Sequence, residues 1–215
     1  MKLDPRTFGT TAAVVLLAID AHAHRLDEYL QAARLSLAHD RVALELDLTP
    51  GVAIAPDIIS MIDRDADLAI TPQEAQAYGQ EVVSETVVTL NGGRVAMTLD
   101  RIEIPPADDL RTGLGTIAVR ASGDLVRLAG GRHTLQYQNN HQPGRAVYLI
   151  NALAPDNPSI RVVSQRRDSI QREGRIEYEI QSSSTAPWFW LVAAVACFHR
   201  QVASLYRRVR HKHWV

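Results

Sequence analysis

Hydrophobic and polar residues alternate along much of this chain, and a period of two is typical of half-buried β-strands. The clearest case runs from Val42 to Leu48, and Tyr29 to Leu37 precedes it across the turn-like His39-Asp40. Asn91-Gly92-Gly93 predicts a hairpin between strands at 86–90 and 94–104. Further strands are predicted at 116–120, 133–138, 147–152, 160–164 and 175–180. We therefore expect a mainly β fold, an antiparallel β-sandwich.

Two short helices are predicted after the second strand, at 56–62 and 72–84. The first offers Ile58, Ile59 and Ile62 as apolar contacts, and the second offers Ala75, Tyr78 and Val82, at helical spacing. Together they form an inserted helix-loop-helix over residues 56–84.

The loop between these helices carries the most specific chemistry in the chain. Its twelve residues run from Asp63 to Glu74, with an apolar residue, Ile70, at position 8. Carboxylates at positions 1, 3, 5 and 12 follow the ligand spacing of a calcium-binding EF-hand. Position 7 contributes a backbone carbonyl and position 9 acts through a water. The predicted metal ligands are Asp63, Asp65, Asp67, Ala69, Thr71 and Glu74, and the predicted cofactor is weakly bound Ca²⁺.

Two features depart from the motif. Leu68 stands at position 6, where glycine normally makes a left-handed turn, and no second loop of this kind occurs elsewhere in the chain. A metal-free alternative also exists, because Thr71-Pro72-Gln73-Glu74 is a capping box that starts a helix without any cation.

The amino-terminal residues 1–23 are expected to be a secretory signal peptide. Lys2 and Arg6 precede an apolar run at 11–19, and Ala21-His22-Ala23 is a small-x-small cleavage site. The alternative, a short membrane anchor, is disfavoured because the apolar run is too short to span a bilayer comfortably. The mature exported domain would cover residues 24–181.

The carboxyl-terminal region is expected to associate with a membrane. After a linker at 182–186, residues 187–206 are predicted to be a transmembrane or surface-lying helix, and the basic tail 207–215 is predicted to be cytoplasmic. The uncharged run at 187–198 rises only about 18 Å, against a hydrocarbon core of roughly 30 Å. Spanning therefore requires Arg200 to snorkel, and an amphipathic helix on the membrane is the alternative.

Composition and the absence of known motifs argue against two classes of function, nucleic-acid binding and catalysis. The net charge is −1 and no basic stripe with interleaved aromatics occurs, so no nucleic-acid partner is expected. No catalytic or phosphate-binding motif is present, and the single cysteine, Cys197, lies in the predicted membrane segment, so we expect a protein that is not an enzyme. The polar turn 138–143 is interpreted as a solvated connection whose asparagines satisfy backbone groups, rather than as a binding loop.

The chain resembles uncharacterised bacterial exported proteins that contain an EF-hand, and it is similar to exported domains found beside nickel/cobalt permeases. The resemblance lies in Ala21-His22-Ala23-His24, an early hairpin, Asp63-Arg64-Asp65-Ala66-Asp67 entering a helix, and the later strands. It implies a calcium site, a cell-envelope location and a possible link to metal transport.

The leading hypothesis is a membrane-anchored domain, periplasmic or extracellular and held at the inner membrane, that binds calcium for stability or to regulate an envelope partner. One alternative is an accessory of a nickel/cobalt permease that uses His24, His39, His133 or His141 as ligands. The other alternative is a hydrolase with a dispersed site.

Overall fold

The computed structural model describes residues 27–181, which include two five-stranded β-sheets. The strands are β1 (Tyr29–Leu37), β2 (Arg41–Pro50), β3 (Thr86–Leu90), β4 (Gly93–Val95), β5 (Thr98–Glu103), β6 (Ile117–Asp124), β7 (Gly131–Asn139), β8 (Ala146–Ala152), β9 (Ile160–Arg167) and β10 (Glu173–Ile180). The helices are α1 (Ala55–Ile62), α2 (Pro72–Ser84) and α3 (Ala107–Arg111). The prediction of a mainly β fold is confirmed, and the two sheets form a sandwich rather than a closed barrel.

The first sheet has the order β5-β6-β2-β1-β8, and the second has the order β4-β3-β7-β10-β9. The alternating pattern of β2 explains its place in the core, because Val42, Leu44, Leu46 and Leu48 are all buried while the residues between them are partly exposed. Residues from both sheets and from α1 and α2 join one hydrophobic cluster. The insertion is therefore fixed to the same core as the sandwich.

One strand pair is parallel, which corrects the expectation of a purely antiparallel sandwich. β8 runs beside β1 from Tyr29↔Ala146 to Leu35↔Ala152. The reason is the path of the chain, since the connection after β7 crosses from the second sheet to the first. The backbone N–H of Tyr29 donates to the carbonyl of Arg145 at 2.9 Å, so β8 begins beside the start of β1.

The predicted strand at 94–104 is two strands in different sheets, which is a second correction. β4 pairs with β3, and β5 pairs with β6 in the other sheet. The chain changes sheets at Ala96 and Met97, close to Gly123 of β6. A Cβ atom at Gly123 would lie 2.7 Å from the carbonyl oxygen of Ala96, so glycine makes room for this crossing.

No helix within residues 27–181 is long and apolar enough to cross a membrane. The predictions for the signal peptide, the membrane helix and the basic tail concern residues outside the described part of the chain.

Candidate metal site

The aspartate-rich loop joins two helices that are both held by the core. Ile58 and Ile62 of α1 are fully buried, and so are Tyr78 and Val82 of α2. The loop begins at Asp63, whose backbone N–H donates to the carbonyl of Ile59 at 2.8 Å and ends α1. Fixed helices at both ends restrict where the loop can place its carboxylates.

The loop brings three of the predicted ligands together. Carboxylate oxygens of Asp63, Asp65 and Asp67 all lie within 4.8 Å of one another. Calcium–oxygen distances are about 2.3–2.6 Å, so two oxygens of one coordination shell are at most about 4.6–5.2 Å apart. The spacing of the three carboxylates is therefore compatible with a single calcium ion.

Backbone N–H groups hold these carboxylates in place. The Asp63 carboxylate accepts hydrogen bonds from the N–H of Asp67 at 3.2 Å and of Leu68 at 3.0 Å. The Asp67 carboxylate accepts from the N–H of Ala69 at 2.8 Å. The loop thus wraps around its own acidic side chains.

Leu68 adopts the left-handed conformation that the motif assigns to position 6, with φ of 70°. Its side chain is 81% exposed, so it gains little from packing. Ala66 is also left-handed, with φ of 58°. The loop therefore has a left-handed residue at position 6, as the motif requires, but this conformation is unfavourable for leucine and alanine.

Glu74 and Thr71 form the predicted capping box. One carboxylate oxygen of Glu74 accepts from the Thr71 backbone N–H at 2.9 Å and from the Thr71 hydroxyl at 2.8 Å, while the Glu74 N–H donates to that hydroxyl at 3.3 Å. The other carboxylate oxygen accepts from the backbone N–H of Arg64 at 2.7 Å. Glu74 therefore reaches from the start of α2 back to loop position 2, while it is not part of the close aspartate group.

The pKa shifts of Glu74, at the start of α2, and of Asp65, in the aspartate group, have opposite directions. Hydrogen bonds from the Thr71 backbone and hydroxyl lower the pKa of Glu74. The pKa of Asp65 is raised: the Asp67 backbone N–H lowers it, but partial desolvation and repulsion from Asp67, Glu74 and Asp63 together outweigh that effect. Arg64 bonds to Glu81 on α2 at 3.0 Å, and no ion pair among residues 27–181 involves the three aspartates. A bound cation would relieve this repulsion.

The three described histidines do not assemble into a metal site. His39 contacts the hydroxyl of Ser159 at 3.1 Å, and His133 contacts the side chain of Asn91 at 2.9 Å. His141 lies in the core. The aspartate group is the only metal-compatible cluster found among the described residues, and His24 lies outside them.

A buried polar network around His141 was missed by the sequence reasoning. Its ring bonds through Nδ1 to Glu85 and through Nε2 to the Tyr78 hydroxyl at 3.1 Å, and that hydroxyl bonds to the Tyr29 hydroxyl at 2.7 Å. Burial raises the pKa of both tyrosines. The order carboxylate, imidazole, hydroxyl is found in hydrolases, but here Tyr29, Tyr78 and His141 are each 0% exposed.

The turn at 138–143 is therefore only in part the solvated connection that its composition indicated, since Pro143 is exposed and Gln138, Asn140 and Gln142 are half-buried. Asn139 and His141 are 1% and 0% exposed. The expected role of asparagine is confirmed for Asn139, whose side-chain oxygen accepts from the N–H of His141 at 2.9 Å. Gln31 completes the arrangement by donating to the carbonyl of His141 at 3.1 Å. Polar composition predicted exposure of Asn139 and His141 because the partners that bury them come from β1 and from α2, which are distant in the sequence.

Comparison of the chain with protein-family models and with curated protein sequences gives no match.

Proposed function

We propose that this chain is an exported, membrane-anchored β-domain of the bacterial cell envelope that binds calcium through the loop from Asp63 to Glu74. The observation that carries the proposal is the approach of three carboxylates within 4.8 Å on a loop with the left-handed turn of a calcium site. The spacing of the remaining donors, Ala69, Thr71 and Glu74, supports it. Calcium then stabilises the domain or regulates an envelope partner.

Calcium binding would act on stability through the two helices. The ion bridges residues at the end of α1 and on the loop that leads into α2, and both helices pack on the common core. A ligand that binds only the folded state stabilises it by RT ln(1 + [L]/Kd), about 1.4 kcal/mol at a tenfold excess over Kd. With a Kd of about 10⁻⁴–10⁻³ M, typical of extracellular modules, occupancy follows external calcium.

The test is calcium titration of residues 24–181 by calorimetry and thermal unfolding. We expect millimolar calcium to raise Tm by about 3–6 °C, from about 1.4 kcal/mol and the usual Tm response of a domain of this size. Magnesium should act more weakly because it requires a tighter octahedral shell. An unchanged melting curve at ten millimolar calcium would show that the loop only caps α2.

Glu74→Gln separates the two roles of that residue. Glutamine can still complete the capping box with Thr71 through its one oxygen, but it can neither supply a bidentate carboxylate nor accept from the Arg64 N–H at the same time. We expect the calcium-dependent rise in Tm to disappear while helix content stays unchanged. Asp108→Asn, at an exposed carboxylate on α3, is the matched control and should leave the calcium response intact.

The envelope location rests on the sequence at both ends of the chain. The features at 1–23 are typical of a signal peptide, and the apolar residues at 187–198 precede the basic residues Arg207, Arg208, Arg210 and Lys212. In this orientation residues 24–181 lie outside the cytoplasm. Retention in the membrane after carbonate extraction is the direct test of the anchor.

A further inference from the structure

The described residues end at Gln181, which is held at one end of the sandwich. The backbone N–H of Gln181 donates to the carbonyl of Ser159 at 2.7 Å. The loop 125–130, which joins β6 to β7, lies at the same end because it leads into Gly131, the direct partner of Ile180. The aspartate loop lies at the other end, since it follows Pro50, which pairs with Tyr29, the first residue of β1.

The loop 125–130 has a fixed shape with an apolar tip. Its backbone N–H groups at Leu125 and Leu128 donate to the carbonyls of Asp40 and His39, each at 2.7 Å, and both leucine side chains pack against the core. Between them, Val126 is 92% exposed, more than any other large hydrophobic side chain in the described part of the chain. The anchors on either side keep Val126 turned away from the protein.

Basic side chains lie near Val126, the apolar tip of the loop. Arg127 follows Val126 directly, is exposed and forms no ion pair within residues 27–181. Arg132, at the start of β7, is also exposed, but it lies opposite Glu179 on β10 and its charge helps to lower the pKa of that carboxyl. The acidic residues Asp40 and Asp124 lie at the base of the loop. An exposed apolar side chain beside arginine is the pairing that interfacial membrane contacts use: the apolar group enters the headgroup boundary and the cation meets anionic lipid.

The length of chain that follows Gln181 limits which surface the end of the sandwich with loop 125–130 can contact. Only five residues, 182–186, separate Gln181 from the apolar run that begins at Pro187. Such a connection reaches at most about 20 Å. One valine and one arginine bind a bilayer weakly, but a short tether makes the contact intramolecular and raises the effective concentration of the loop at the surface.

We propose that loop 125–130 rests on the bilayer surface, with Val126 at the headgroup boundary and Arg127 against anionic lipid headgroups. This inference depends on the membrane anchor proposed above. It sets the orientation of the domain: the end with loop 125–130 faces the membrane and the aspartate loop faces away.

The test uses the full chain reconstituted in vesicles that contain phosphatidylglycerol. In a Cys197→Ala background, Val126→Cys is labelled with a fluorophore and quenched by nitroxide-bearing lipids. Leu114→Cys is the matched control, because Leu114 is 83% exposed and lies just before β6, whose first residue pairs with Leu48 near the aspartate loop. We expect several-fold stronger quenching at position 126 than at position 114.

Carbonate extraction of the same vesicles separates the two proposals. A chain that is extracted overturns the anchor and the loop contact together. A retained chain with equal quenching at both positions overturns the loop contact alone. Arg127→Glu should reduce quenching at position 126, whereas Arg111→Glu, on α3, should not; quenching that survives Arg127→Glu overturns the role given to Arg127.

Discussion

Leu68 shows how a single residue can set the strength of the proposed calcium site. Its left-handed backbone costs about 1–2 kcal/mol relative to glycine, and its side chain is largely exposed. Leu68→Gly removes this strain. Part of the gain in free energy is offset because glycine loses more chain entropy on folding, about 0.5–1 kcal/mol. We expect calcium affinity, measured by calorimetry, to rise by at most about tenfold, the equivalent of 1.4 kcal/mol, because the strain weakens binding only as far as the loop leaves this turn when no ion is bound.

Gln171 supplies the control for that substitution. It is also left-handed, with φ of 56°, but it lies in the turn between β9 and β10. Gln171→Gly should relieve comparable strain without changing calcium affinity. Equal affinities in Leu68→Gly and the unmodified protein would refute the strain argument.

Glu179 gives a prediction for pH. A hydrogen bond and the charge of Arg161 lower the pKa of Glu179. The folded state therefore favours the carboxylate, so its contribution to stability is full above the unfolded-state pKa, about 4.3, and is lost as pH falls through the lower folded-state pKa. We expect Arg161→Ala to raise the pKa of Glu179 in an NMR carboxyl titration.

The stability difference between Arg161→Ala and the unmodified protein should correspondingly shrink below about pH 4. Arg101→Ala removes a comparable exposed pair with Glu103 and should leave Glu179 unaffected. A pKa of Glu179 that stays low in Arg161→Ala would contradict the assigned cause.

At the scale of elements, the His141 network ties α2 to the sheets. The Tyr78 hydroxyl on α2 bonds to Tyr29 on β1 and to His141 in the connection after β7. Tyr78→Phe leaves two buried polar groups without this partner, which costs about 1–3 kcal/mol. Urea unfolding of Tyr78→Phe should show that loss.

Tyr137→Phe is the control for this substitution. The Tyr137 hydroxyl is buried and has no hydrogen-bond partner within residues 27–181. Its removal should therefore leave stability unchanged or slightly raised. If both variants lose the same free energy, the network contributes nothing beyond ordinary tyrosine burial.

The crossing between the sheets depends on a glycine. A Cβ atom at Gly123 would lie 2.4 Å from a methyl group of Val95 as well as near the backbone of Ala96. Because the backbone cannot move away freely, Gly123→Ala should destabilise the domain by about 1–3 kcal/mol in thermal or urea unfolding. Gly144→Ala, with no heavy atom within 4 Å of the added Cβ, should change stability by less than about 0.5 kcal/mol.

These elements also show what local sequence can predict. The alternation from Val42 to Leu48, the Asn91-Gly92 turn and the Thr71–Glu74 capping box each act within a few residues, and each gave the correct element. The spacing of Asp63, Asp65 and Asp67 likewise predicted their approach, because ligand positions within one short loop are local.

The features that local sequence did not predict depend on distant partners. The change of sheet at Ala96 depends on Gly123 of β6, while the alternating pattern continues across it. The parallel pairing of β1 with β8 joins residues more than a hundred positions apart. The burial of His141 depends on Gln31, Tyr29 and Tyr78, which the polar turn itself does not reveal.

For the whole molecule, the proposed anchor predicts the side of the membrane on which each end lies. A reporter fused after Val215 should be cytoplasmic, because the basic residues at 207–212 favour the inner side. A matched fusion after Gln181, before the apolar run, should be periplasmic. A periplasmic reporter at Val215 would refute the single-pass orientation.

The position of β10 has a consequence for how the protein is made. β10 is the last described strand in the chain, yet it lies between β7 and β9, so the second sheet has a gap until residue 180 is available. In the first sheet, one edge of β1 likewise stays unpaired until β8 is available. A chain that emerges from its amino end therefore presents unpaired strand edges until its last strands are available, and such edges aggregate readily. Under the proposed export, folding of the domain is coupled to completion of translocation, and the step that closes the second sheet comes just before the predicted membrane segment leaves the translocation machinery.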